Sequence, residues 1–99
     1  MKKLINFEFE YNKKGYEFCL EIASKMVELF NITHEESVNR INSQWRDIPL
    51  IDDDDIVYHD DAEQWANVIY YREDSGWYNP ELKENLHPKV YNAETNEYE

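Results

Sequence analysis

The feature that most constrains this chain is a change of hydrophobic period near residue 12. Ile5, Phe7, Phe9 and Tyr11 alternate with Asn6, Glu8 and Glu10, which is the period of a strand with one buried face. Beyond Asn12-Lys13-Lys14-Gly15, read as a turn, Cys19, Ile22, Ala23, Met26 and Phe30 recur at helical spacing over residues 16–30. Glu17, Glu21, Lys25 and Glu28 fall on the opposite, solvent side of that helix. A lone strand is not stable as a sheet, so a second segment must pair with residues 4–11. Ile56–Tyr58, Trp77-Tyr78 and Lys89–Tyr91 are the candidates within the chain. The fold class that follows is α+β: a small antiparallel sheet with about three helices packed on one face.

The remaining helices announce themselves by their ends. Asn31 is placed to stop the first helix, and Thr33 with Glu36 forms a capping-box pair for a second, from His34 to Trp45. Val38, Ile41 and Trp45 share its inner face. Asp60/Glu63 and Asp61/Gln64 are both capping-box pairs for a third helix, from Ala62 to Tyr71, with Ala62, Trp65, Ala66 and Ile69 as its apolar stripe. With 99 residues the chain is long enough for one domain, read as residues 1–88. The polar stretch 89–99 is expected to be a mobile tail.

Charge limits the function classes. The chain carries 22 acidic and 10 basic side chains, a formal net charge of −12. Binding to nucleic acid or to anionic membranes draws on Lys and Arg, so neither partner is expected. No apolar run approaches the roughly 20 residues of a membrane span. Met1-Lys2-Lys3 is not followed by the apolar core of a signal peptide. The single cysteine, Cys19, lies on the apolar stripe and suits a reducing compartment. These observations point to a cytoplasmic location.

Few residues are placed for chemistry. Only two glycines are present, Gly15 and Gly76, so a phosphate-cradling glycine loop is excluded. No catalytic residue, resident metal or cofactor is expected. The densest charge lies between Asp47 and Asp74, where ten acidic residues face one basic residue, Arg72. Asp52, Asp53, Asp54, Asp55, Asp60 and Asp61, with Trp77, are the candidate binding surface. Their chemistry suits a basic protein partner, with aromatic rings as anchors. The competing use of Trp45, Trp65, Tyr70, Tyr71, Trp77 and Tyr78 is simple core packing.

Two alternatives come from the same residues. Asp52, Asp54, Asp60 and Glu63 occupy ligand positions of a calcium loop, and His59 could add a nitrogen ligand or act as a base. Ile56 and Val57 stand where such a loop needs a ligand and a glycine. This alternative is a divalent-cation-binding protein or a small metal-dependent enzyme. The other is a structural homodimer that pairs residues 4–11 across two copies.

Arg40-Ile41-Asn42-x-x-Trp45, Tyr58-His59, and Trp65-Ala66-x-x-Ile69-Tyr70-Tyr71-x-x-Asp74-Ser75-x-Trp77 together resemble small acidic bacterial proteins of unknown function. The resemblance spans residues 40–77 and implies one structured unit around His59 and the tryptophans. It carries no catalytic residue. Small acidic bacterial proteins include immunity proteins against secreted toxins, an analogy of size and charge.

Overall fold

Helix α1 (Lys13–Phe30) begins three residues earlier than the periodicity places it. Asn12 is extended, and its carboxamide oxygen accepts the Gly15 N–H at 2.8 Å. An Asn at this position satisfies an otherwise orphaned donor of the first turn. Lys13, Lys14 and Gly15 are therefore helical rather than part of a turn. No acidic side chain lies in this first turn, so the helix dipole goes uncompensated there. Lys14 instead sits over the Tyr58 ring, 4.2 Å from its centroid. At the other end Asn31 adopts φ 54°, ψ 39° and donates its N–H to Val27 O. Asn tolerates this left-handed geometry better than most residues.

The computed structural model describes residues 7, 10–46, 56–73, 81 and 85–99. The expected strand over residues 4–11 lies mostly outside the described residues. Within it, Phe7 is buried and meets Tyr16 edge-on at 5.8 Å.

Helix α2 spans His34–Trp45, as its end signals predict. Thr33 Oγ1 accepts the Glu36 N–H at 3.0 Å. Glu36 gives its carboxylate to Arg40 Nε at 2.8 Å. The short apolar run at Ile56 forms a 3-10 turn, Ile56–His59, and not a strand. Val57 O accepts the Trp65 indole N–H at 2.7 Å, which folds the turn back over the following helix. A short apolar run does not by itself distinguish these two outcomes. Helix α3 (Ala62–Tyr70) has a complete capping box: Asp61 Oδ1 accepts Gln64 N–H, and Gln64 Oε1 accepts Asp61 N–H.

The core lies between the three helices. Cys19, Ile22, Ala23 and Met26 of α1 meet Ala66 and Ile69 of α3 and Ile41 of α2, all at most 1% exposed. The alanines let α1 and α3 approach closely. Trp45 and Trp65 meet edge-on at 5.0 Å, and Phe30 stacks flat on Tyr70 at 3.8 Å. The Cα radius of gyration, 13.5 Å, is close to the value of about 13 Å for a compact domain of 100 residues.

The described sheet comes from the C-terminal segment. Strands β1 (Tyr91–Asn92) and β2 (Glu97–Tyr98) pair antiparallel, Tyr91 opposite Tyr98 and Asn92 opposite Glu97. Residues 93–96 close the loop with Asn96 at φ 59°, and Asn92 Oδ1 accepts Glu94 N–H at 2.9 Å. Upstream, Tyr71 and Pro88 form an isolated antiparallel bridge. The architecture is α+β, with β2 packed against α2. Residues 89–99, expected as a mobile tail, thus carry a hairpin that docks on a helix.

Candidate binding surface

Glu17, Glu21 and Glu28 are exposed along one side of α1. Their spacing of four and seven residues lines them up over about 16 Å of helix. With Leu20, Ser24, Lys25 and Ala62 they line an open groove of about 700 Å³ between α1 and the start of α3. Lys25 Nζ is 3.5 Å from Glu28 Oε2, an exposed pair of slight energetic weight. Asp60, Asp61 and Glu63 flank Ala62 in the chain and are exposed. The groove therefore has Leu20 and Ala62 as apolar surface and carboxylates along its α1 side.

The predicted binding residues divide into two groups. Asp60 and Asp61 sit at the head of α3, where Asp61 also serves as the helix cap. Asp52, Asp53, Asp54, Asp55 and Trp77 lie outside the described residues. His59 is exposed in the 3-10 turn. Among the described residues, no group of three or more His, Cys, Asp or Glu side chains could hold a metal ion. No described helix is long and apolar enough to cross a membrane. Cys19 is fully buried, and burial pushes its thiol up to about 12, so it holds no thiolate at neutral pH.

A second constellation escaped the sequence reading. Arg40 is only 7% exposed, and its guanidinium lies between two rings, 4.7 Å from Tyr70 and 4.4 Å from Tyr98. Nη1 reaches Tyr70 O at 3.5 Å, and Glu36 holds Nε. Phe30 stacks behind Tyr70, and Tyr91 lies 5.4 Å beyond Tyr98. One continuous stack, Phe30–Tyr70–Arg40–Tyr98–Tyr91, thus ties the end of α1, the end of α3, the middle of α2 and the hairpin together. Planar guanidinium surfaces favour such stacking. The available sequence signals were the Glu36/Arg40 spacing and the Tyr70-Tyr71 pair.

Glu73 and His87 clamp the chain beside the Tyr71/Pro88 bridge. The His87 backbone N–H donates to Glu73 Oε2 at 2.9 Å, and His87 Nδ1 lies 2.8 Å from Oε1. These two contacts bring the Glu73 carboxyl down from 4.5 to about 2. A carboxylate depressed in the folded state contributes stability that is full above its unfolded value and lost as pH falls from about 4.5 through about 2. Unfolding midpoints measured between pH 5 and pH 2 should therefore fall less steeply for Glu73→Gln than for the native chain. Equal slopes would show that the clamp does not outlast solvent competition. No family model, curated protein or solved structure matches the chain.

Proposed function

We propose that this protein is an acidic binding module that engages a basic protein partner, as small acidic bacterial immunity proteins neutralise a toxin. The observation that carries this reading is the exposed carboxylate stripe Glu17, Glu21 and Glu28 beside the acidic head of α3. Asp52, Asp53, Asp54 and Asp55 add charge to the same chain, and Trp77 supplies an aromatic anchor. A net charge of −12 speeds encounter with a cationic surface: steered association reaches about 10⁸–10⁹ M⁻¹s⁻¹ at low salt, against about 10⁵–10⁶ without steering. The same charge repels phosphate backbones.

Converting Glu17, Glu21 and Glu28 to Gln changes the net charge from −12 to −9 (−12 + 3). All three are exposed, so stability should move by less than about 1 kcal/mol. The association rate with the basic partner, followed by surface plasmon resonance, should fall about tenfold at low ionic strength. The difference should vanish at high salt, where the Debye length is only about 3 Å. A parallel variant with Asp52, Asp53, Asp54 and Asp55 changed to Asn separates the loop's share from the helix's share. Rates unchanged in both variants at every salt concentration would remove the reading.

A further inference from the structure

We propose that the C-terminal hairpin, residues 90–99, is a strap that closes over the polar face of α2 and opens while the helical core stays folded. This inference does not depend on the partner reading. The hydrophobic core and the apolar side chains packed on it run from Phe7 to Tyr70; among the described residues, none of the hairpin belongs to either set. The strap is held by other means. Tyr98 covers one face of the Arg40 guanidinium, and its N–H donates to Ser43 Oγ at 2.8 Å. Arg46 Nη2 donates to Asn96 O at 3.2 Å. At the root, Lys89 Nζ donates to Gln44 Oε1 at 2.9 Å, and Lys89 N–H to Tyr70 O at 2.8 Å. These side-chain attachments land on α2 and on Arg46, the residue that caps its C-terminus.

The seam between strap and helix is polar. Asn39, Asn42 and Arg46 face Tyr91, Asn96 and Tyr98 across a cavity of about 150 Å³, large and polar enough to admit water. Water entering such a seam replaces the lost hydrogen bonds directly, so opening exposes little apolar surface. Val90 is 65% exposed, and Tyr91, beside Tyr98 at the margin of the seam, is 49% exposed. Two-residue strands have little stability of their own. Arg40 does not lose its footing when the strap lifts: Glu36 still holds Nε and Tyr70 still covers the other face. Arg40 is therefore held in both states, and the hinge falls between the Tyr71/Pro88 bridge and Val90. Closed, the strap covers Arg40 and Arg46, two of the three arginines in the chain. Open, it presents them with Asn39, Asn42 and Ser43 as one cationic, hydrogen-bonding face on an otherwise acidic protein.

The test is native-state hydrogen exchange on the full chain, read by NMR in low concentrations of guanidinium chloride. Val90, Glu94, Asn96, Tyr98 and Glu99 are among the strap amides that donate hydrogen bonds. These amides should exchange as one group, about 100-fold faster than those of Ile22, Ala23 and Met26, with little denaturant dependence. Tyr98→Ala should speed the strap amides a further tenfold or so and leave the core amides unchanged. Strap amides that follow the core's rate and denaturant slope would overturn the proposal, because the hairpin would then open only by global unfolding. So would a wild-type strap with no protection at all, or core protection lost in Tyr98→Ala.

Discussion

Arg40→Ala is expected to lower the unfolding free energy by about 2–3 kcal/mol, a fall in Tm of roughly 10–20 °C for a domain this size. Three losses combine. The guanidinium leaves the Tyr70 and Tyr98 faces, each contact worth about 0.5–2 kcal/mol. Glu36 loses the partner at 2.8 Å that neutralises it. The α2–α3 link through Tyr70 also goes. A fully buried pair broken on one side loses about 3–5 kcal/mol and an exposed one about 0–1. The Glu36 side chain is 33% exposed, which sets the intermediate figure. Arg40→Lys keeps the charge but not the planar fork, so it should recover less than half of the loss. Urea unfolding followed by circular dichroism measures both. An Arg40→Ala chain within about 0.5 kcal/mol of the native one would show that the stack has no net weight. The contrast with Tyr98→Ala is informative, since that change frees the strap and leaves the Arg40 contacts to Tyr70 and Glu36 in place.

Ile22→Ala is expected to remove about 3–4 kcal/mol. Ile22 is fully buried on α1, the helix that packs against both α2 and α3. The lost methyl and methylene groups forfeit their transfer energy, and the flanking helices cannot collapse fully into the gap. A domain of this length has about 5–15 kcal/mol in all, so a large part of the stability goes. The urea midpoint should drop while the slope with denaturant stays near the native value. A loss under about 1 kcal/mol would place the packing centre elsewhere.

Local signals carried much of the fold. Thr33 and the spacing of Val38, Ile41 and Trp45 gave α2 its bounds because cap and apolar period agree there. Asn31 and the Asp61/Gln64 pair did the same for the end of α1 and the start of α3. The solvent side assigned to Glu17, Glu21 and Glu28 is where they lie. Where two local signals competed, the reading failed. Asn12 serves as a helix cap although Gly15 argues for a turn. The Ile56 run suits a strand until the Trp65 indole reaches back to Val57 O.

Arg40 was illegible for a different reason. A charged residue one turn from Glu36 looks like part of a solvated helix face. Its burial is made by Tyr70, 30 residues on, and Tyr98, 58 residues on. No window of sequence contains those contacts. The hairpin was hidden likewise, because Tyr98 earns a place in the fold only through Arg40 and Ser43, which lie on another element.

We propose that the acidic side of this molecule recognises a basic protein. The most direct measurement is affinity capture from lysate of the source cells at low and high salt. The native chain would be compared with the Glu17→Gln, Glu21→Gln, Glu28→Gln variant, and retained proteins identified by mass spectrometry. One basic protein should be held in stoichiometric amount by the native chain at low salt, released at high salt and depleted on the variant. Capture of no stoichiometric partner, or of the same proteins by both chains at both salt concentrations, would contradict it.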